Sequence, residues 1–324
     1  MDTVRTAVIG TGYLGRFHAD KYADIEGSEL IAVVDLDLAA AQTVAERHGC
    51  LATFDYREIL DQVDAVSIVV PTSLHHRVAR DCLERGIHVL VEKPITSSVE
   101  QADELIALAR EHGCVLQVGH LERFNAVLLD LDKVLERPLF IESSRLAPFK
   151  PRATDVSVVL DLMIHDIDII LDVVDSDIER LDASGISVLT DAVDIANARL
   201  RFANGCVANV TASRISLKSE RKIRLFQQDS YISADFQNRV LSVHRKGSGE
   251  QFPGVPEIVS DEIAYEDGDA LRAEIVDFLE CIRSGRRPLV DGEAGRRALS
   301  MATRITELVH SATARQHQSK GSQP

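Results

Sequence analysis

The chain is short of cysteine, of long apolar runs and of positive charge, and each shortage argues against a class of protein. Five cysteines (Cys50, Cys82, Cys114, Cys206, Cys281) among 324 residues are odd in number and scattered, with no C-x-x-C pair. That argues against a disulfide framework or a zinc site and fits a reducing cytoplasm, so no metal is expected. No apolar stretch approaches the roughly 20 residues of a membrane-spanning helix. The N-terminus runs straight into a strand-like segment, so no secretory leader is expected either. A formal net charge of -15 opposes non-specific nucleic-acid binding, which draws on clustered Lys and Arg. It leaves room for a small phosphate-bearing ligand, because backbone N–H groups at a helix start can hold phosphate locally. There is no internal repeat and no low-complexity block.

Hydrophobic residues make up 45% and charged residues 27%, the composition of a folded protein, and the length suits two domains of ordinary size. Residues 1–120 alternate continuous apolar strands (Thr6–Ile9, Leu30–Val34, Ala65–Val70, Ile87–Val91, Val115–Val118) with helical stretches. That pattern indicates a doubly wound parallel sheet covered on both faces. Residues 121–314 read differently. A helix through Leu128–Leu135 leads to a strand over Phe140–Phe149, then to a helix over Val156–Val174. From Ile178 to His244 strands follow one another, with Asn204-Gly205 as a hairpin signal between Ala196–Phe202 and Cys206–Thr211. This predicts an α+β domain with a large, mostly antiparallel open sheet. Helices near Ala270–Ser284 and Gly292–Ser311 close the domain, and they can pack back on the first one. Residues 315–324 lack periodic apolar positions and read as a tail.

Gly10-Thr11-Gly12-Tyr13-Leu14-Gly15 fits G-x-G-x-x-G, after a strand and opening a helix. In that context Gly10 permits the turn, Gly12 lets the backbone approach a pyrophosphate, and Gly15 allows close helix–strand packing. About twenty residues further on, Asp35 ends the second strand, where a carboxylate accepts ribose hydroxyls. Leu36 and Asp37 follow it, with no arginine to neutralise a 2′-phosphate, so NAD is expected over NADP.

Glu92-Lys93-Pro94 follows the strand ending at Val91, at the carboxyl edge of the sheet where ligands of such folds bind. Lys93 there either shares a substrate proton or is a solvated lysine before a proline turn. Asp161, His165 and Asp168 fall at i, i+4 and i+7 in an otherwise apolar helical run, on one face of a regular helix. They are either a structural hydrogen-bond cluster or part of an active site.

Taken together these residues resemble the Gfo/Idh/MocA oxidoreductases over nearly the whole chain. The likeness rests on Gly10–Gly15, Pro71-Thr72-Ser73-Leu74-His75, Glu92-Lys93-Pro94, Gly119-His120-Leu121-Glu122-Arg123-Phe124 and Asp161–Asp168. It implies that Lys93 is the central catalytic lysine, His165 the active-site histidine and Asp161 its acidic neighbour. It also implies that Pro71, Thr72, His75 and Glu92 line the cofactor. Met163 stands where the family often has glycine, and His120 where it often has an aromatic residue.

The stretches Val118–Asn125 and Leu160–Asp166 are similar to the sugar-nucleotide branch that oxidises the 3-hydroxyl of UDP-N-acetylglucosamine. The resemblance thus implies NAD-dependent oxidation of a sugar or sugar-nucleotide hydroxyl, giving a 3-keto sugar for lipopolysaccharide or lipid A biosynthesis. An inositol or free-sugar dehydrogenase, an NAD-dependent glycosidase or epimerase, and a non-catalytic NAD-binding regulator are the alternatives. His120, Arg123 and Arg152 are candidate substrate contacts beside Lys93, Asp161 and His165. Arg123, Lys150, Arg152 and Arg214 can each meet a diphosphate or serve as ordinary ion-pair residues. An open sheet face commonly becomes an oligomer interface, so a homodimer or homotetramer is expected.

Overall fold

The computed structural model describes residues 3–150, 156–266 and 268–320, with the side chains of the last helix followed to residue 311. The chain forms two compact units. The first takes in the chain up to Phe124 together with Asp269–Leu299, and the second Asn125–Gly268 together with the chain from Ser300.

In the first unit six parallel strands line up as β3-β2-β1-β4-β5-β6. They are β1 (Val4–Ile9), β2 (Ser28–Val34), β3 (Leu51–Thr53), β4 (Ala65–Ile68), β5 (His88–Glu92) and β6 (Leu116–Gly119). This is the Rossmann order, which reverses direction between β1 and β4 and opens a crevice at the carboxyl ends of those strands. Ala7, Val8, Val33, Val66, Val89 and Val91 are wholly buried, as the continuous apolar runs require. The three-residue β3 has no such run, which is why the sequence pattern passes over it. Helices α1 (Tyr13–Asp24), α2 (Leu38–His48), α3 (Thr72–Leu83) and α4 (Val99–Glu111) follow strands β1, β2, β4 and β5 in turn. Helix α2 shows how local chemistry sets the ends. The Asp37 carboxylate accepts from the Ala39 and Ala40 N–H groups, and Gly49 closes the helix at φ +69°.

The second unit begins with α5 (Ala126–Leu131) and contains α6 (Ile164–Val174) and an eight-stranded sheet. Its strands are β7 (Phe140–Leu146), β8 (Ile178–Ile186), β9 (Ile195–Phe202), β10 (Val207–Ser213), β11 (Glu220–Gln227), β12 (Ser230–Asp235), β13 (Val240–Phe252) and β14 (Val255–Ala264). They run in the order β14-β13-β12-β11-β7-β10-β9-β8, antiparallel throughout except for the parallel pair β7 and β10. Alternation along the strands buries one face. Ala196, Ala198, Leu200 and Phe202 on β9 and Ala208, Val210 and Ala212 on β10 are at most 1% exposed. The Asn204-Gly205 turn closes the β9–β10 hairpin, with Gly205 at φ +90° and the Asn204 carboxamide accepting from Cys206 N–H at 3.0 Å.

Two helices remain, α7 (Ala270–Ser284) and α8 (Gly292–Lys320). Leu271, Ile275, Phe278 and Leu279 on α7 join Tyr22, Val33, Val44 and Leu90 in the core of the first unit. No helix among the described residues is long and apolar enough to cross a membrane.

Candidate active site

In the first unit, the chain leaves β1 through Gly10 at φ +101°, where a Cβ would lie 2.4 Å from the Val69 carbonyl oxygen. A Cβ on Gly15 would lie 1.8 Å from the Gly10 carbonyl oxygen. Gly12 is the contrast: nothing stands within 4 Å of its missing Cβ, and α1 begins there without a side-chain cap. Two glycines therefore serve packing, and the third leaves the helix start open to a ligand. The Thr11 N–H and hydroxyl both donate to Asp35 Oδ2, at 2.7 and 2.9 Å, and Asp37 N–H donates to Oδ1 at 3.0 Å. Asp35 thus pins the glycine turn to the end of β2. A carboxylate accepts about four hydrogen bonds, so it retains acceptor capacity for a ribose hydroxyl. Tyr13 is 69% exposed and edge-on to Phe17 at 5.3 Å, while Leu14 is half-buried. These residues satisfy what a dinucleotide needs: an uncapped helix start, a bare glycine and a ribose-binding carboxylate.

Pro71 precedes the first residue of α3, Thr72. One turn on, the buried His75 ring spans two carbonyls, with Nδ1 2.9 Å from Pro94 O and Nε2 2.8 Å from Val70 O. Burial pushes its pKa down while those carbonyls oppose the shift. A neutral ring has one N–H and so donates to one carbonyl at a time. Either way His75 links the segment after β4 to the loop after β5. That loop carries Glu92, at the end of β5, then half-buried Lys93 and a cis Lys93–Pro94 peptide. Lys93 N–H donates to Glu92 Oε2 at 3.3 Å, and His18 Nε2 lies 3.3 Å from Glu92 Oε1. A Cβ on Gly119 would come within 2.9 Å of the Glu92 carboxyl carbon, so the glycine of β6 makes room for that side chain. His120 and Arg123 are buried, at 1% and 5% exposure, and Arg123 N–H donates to His120 O at 2.9 Å.

In the second unit, Asp161 sits in a π-helical turn, Val159–Met163, and His165 is the second residue of α6. The i, i+4, i+7 spacing therefore does not run through one regular α-helix, because the wider turn breaks the 3.6-residue period before Met163. The helix expected over Val156–Val174 likewise starts later, since Val156 precedes the π turn. Asp161 and His165 are half-buried and Asp168 is buried. A cavity of about 400 Å³ is lined by Asp161 and Leu162 together with Lys150, Arg214, Ser219 and Arg221. Arg214 is 6% exposed and donates to Val156 O. Arg152 lies outside the described residues.

Some participants escaped sequence reasoning. Arg221, the second residue of β11, lies on the same face as Ile223, yet reads in sequence as one charge in a charged run. His18 was detectable: Gly15, His18, Ala19 and Tyr22 recur at the spacing of one buried helical face, and a histidine there is a core residue with a polar purpose. Glu274 occupies a comparable core position on α7.

Residues 4–120 match the Gfo/Idh/MocA model described as an oxidoreductase family with an NAD-binding Rossmann fold, and residues 139–232 match the family's C-terminal domain. A UDP-N-acetylglucosamine 3-dehydrogenase from Acidithiobacillus ferrooxidans is 43% identical over 303 residues, 93% of this chain and 96% of that protein. A solved structure of that enzyme superposes with a TM-score of 0.91 at 42% identity, covering 96% of this chain and 99% of the other. A scyllo-inositol 2-dehydrogenase (NAD(+)) from Bacillus subtilis is 27% identical over 89% of this chain and 88% of its own. The chain belongs to the Gfo/Idh/MocA family of oxidoreductases, with an NAD-binding Rossmann fold.

Proposed function

We propose that the chain oxidises a secondary hydroxyl of a nucleotide sugar to a ketone with NAD, the substrate being UDP-N-acetylglucosamine and the reacting group its 3-hydroxyl. The observation that carries the substrate is the cavity of the second unit, where Lys150, Arg214 and Arg221 stand around Asp161. Clustered cations suit a diphosphate, and arginine suits it best because its planar fork can bond two oxygens at once. An uncharged inositol would have no use for them. The likeness to a UDP-N-acetylglucosamine 3-dehydrogenase over almost the full length of both chains supports the same reading.

Gly12 and the start of α1 would hold the pyrophosphate, Asp35 the adenosine ribose, and Pro71, Thr72, His75 and Glu92 the rest of the dinucleotide. When bound, NAD supplies the hydride acceptor. By the family resemblance, Lys93 would bind the reacting hydroxyl, whose proton would leave to Lys93 or to His165, with Asp161 as the acidic neighbour of His165. The Asp35 charge, with Asp37 close by, repels a 2′-phosphate and selects NAD over NADP. The reaction is assigned to the cytoplasm, which the odd, scattered cysteines fit.

The test is reduction of NAD by the purified chain against UDP-N-acetylglucosamine, UDP-glucose, inositol and free sugars, with an amine trap for the keto product and NADP in parallel. Reduction with UDP-N-acetylglucosamine is the expected result. Reduction with inositol or a free sugar alone keeps the chemistry and overturns the substrate.

A homodimer or homotetramer belongs to the same reading. The solvent-facing side of the second sheet carries Phe140, Phe226, Tyr231 and His244 as a ladder across β7, β11, β12 and β13, with ring centroids 6.0, 5.0 and 5.0 Å apart. A file of rings on an open face suits burial against a second copy. Light scattering on the eluted protein tests it, and a monomer at micromolar concentration rejects it.

A further inference from the structure

A file of hydrogen-bonded side chains ends at the carboxyl group preceding Lys93. The Tyr22 hydroxyl lies 2.8 Å from Ser67 Oγ, which lies 3.1 Å from His18 Nδ1, and His18 Nε2 lies 3.3 Å from Glu92 Oε1. Tyr22, Ser67 and His18 are wholly buried. One consistent order of donation runs from Tyr22 to Ser67, from Ser67 to Nδ1, and from Nε2 to Glu92. In that arrangement both Glu92 oxygens accept, Oε1 from His18 and Oε2 from the Lys93 N–H.

Glu274 on α7 is also wholly buried. Neither of its carboxyl oxygens has a hydrogen-bond donor among the described residues. Gln117 comes close, but its Nε2 donates to the Glu274 backbone carbonyl at 2.9 Å and not to the carboxyl group. Gln117 and Gly119 lie on one face of β6, Gln117 bonding Glu274 and Gly119 facing the Glu92 carboxyl, so Glu274 and that carboxyl meet the same face, where burial and like charge each oppose a second ionisation. Burial first, then the Glu92 charge, then Asp277, hold the Glu274 carboxyl well above the usual carboxylate range.

We propose that Glu274 keeps a proton for the pair, so that one negative charge rather than two faces the nicotinamide ring, and that it gives up this proton when the ring is cationic. This rests on the assignment of Glu92 and Lys93 to the nicotinamide under Proposed function. The step balances in charge: neutral Glu274 plus NAD⁺ gives ionised Glu274 in the complex plus a proton to solvent. Hydride arrival neutralises the ring and the proton returns. Glu274 is thus a positioning residue that matches the charge of the site to the redox state of the cofactor.

The titratable groups around Glu274 come from several elements. Glu92 approaches from β5, His18 and Tyr22 stand on α1, and Asp277 lies one turn along α7. The turn Leu121–Phe124, packed on α7, brings Glu122 and Arg123. Asp277 is already paired with Arg286 at 2.7 Å, and Lys21 of α1 with Asp269 at 2.6 Å. Among the neighbouring charges, Glu92 opposes ionisation of Glu274 most and Asp277 less.

The experiment is calorimetric titration of the full chain with NAD⁺ and with NADH between about pH 6 and about pH 9. The ratio of the NADH to the NAD⁺ dissociation constant should rise with pH, by up to about tenfold per unit where Glu274 titrates. Glu274→Gln, neutral at every pH, should flatten that rise. Heats of NAD⁺ binding in two buffers of different ionisation enthalpy should show proton release by the unaltered chain, which decides the matter if the variant fails to fold. NAD⁺ binding with a flat ratio and no proton release overturns the role of Glu274 and leaves the cofactor site standing. An undiminished rise in Glu274→Gln assigns the proton to another group and also overturns it. Failure of either dinucleotide to bind would sink the cofactor reading itself.

Discussion

Arg145 on β7 and Asp166 on α6 form a buried ion pair. The guanidinium Nη2 and Nε lie 2.7 and 3.0 Å from Asp166 Oδ1, and neither side chain is more than 4% exposed. The Ser143 hydroxyl donates to Oδ2 at 2.7 Å, so both carboxylate oxygens are occupied. The pair fastens α6 to the sheet one residue after His165. Asp166→Ala should remove the carboxylate that both Arg145 and Ser143 bond and destabilise the protein by about 3–5 kcal/mol, the usual cost of breaking a buried ion pair from one side. Arg145→Met combined with Asp166→Leu should recover most of that loss, since neither charge is then left alone. Thermal melts of the single and double variants check this, and a double variant no better than Asp166→Ala contradicts it.

The glycine turn gives a prediction that separates folding from binding. A Cβ on Gly15 would stand 1.8 Å from the Gly10 oxygen, so Gly15→Ala should lower the melting temperature and NAD affinity together. A Cβ on Gly12 meets nothing within 4 Å. Gly12→Ala should therefore leave the melting temperature within about 2 °C and still weaken NAD binding at least about tenfold, through close approach to the pyrophosphate. Equal melting losses in the two variants would mean that Gly12 serves packing after all.

How much of this was legible in the sequence depends on whether a contact is local. The strand–glycine–helix order around Gly10 is written in consecutive residues, and the Asn204-Gly205 hairpin is too, so pattern reading finds both. The π turn at Asp161 is not legible, because Val159-Leu160-Asp161-Leu162-Met163 fits an α-helix equally well and the turn is set by tertiary packing. The Arg145–Asp166 pair joins residues 21 positions apart, and Glu274 meets Gln117 from 157 positions away. Buried charges of that kind look in sequence like ordinary solvated ones. The cationic cavity was half legible: Lys150 and Arg214 stood out as candidate phosphate contacts, whereas Arg221 needed the sheet register to bring it to the same face.

Lys93 is half-buried in the loop after β5 and next to the cis peptide at Pro94. A residue acting on the substrate proton affects turnover, whereas one holding the cofactor affects binding. Lys93→Ala should therefore lower kcat by about 10²–10⁴-fold, the usual worth of a proton-transfer group, with the NAD dissociation constant changed less than about threefold. Single-turnover kinetics beside NAD titration separate the two. An equal loss in binding and turnover would make Lys93 a cofactor or structural residue.

Asp194, just before β9, is wholly buried and collects four hydrogen bonds. Its Oδ2 accepts from the N–H groups of Val188, Leu189 and Thr190 at 2.8, 2.6 and 3.0 Å, and its Oδ1 from the Thr190 hydroxyl at 2.8 Å. Burial works to raise its pKa, but the hydrogen bonds together outweigh burial and hold the carboxyl below its ordinary value. A depressed folded pKa means stability that is complete above the unfolded value of about 3.9 and drains away as pH falls toward the folded one. Asp194→Asn keeps the shape, loses the charge and turns one acceptor into a donor, so it should cost about 1–3 kcal/mol near neutrality. The gap between the unaltered chain and the variant should narrow in urea titrations as pH drops from about 7 to about 3. A gap of constant size across that range would show that the loop is held by shape, with no contribution from the ionised carboxylate.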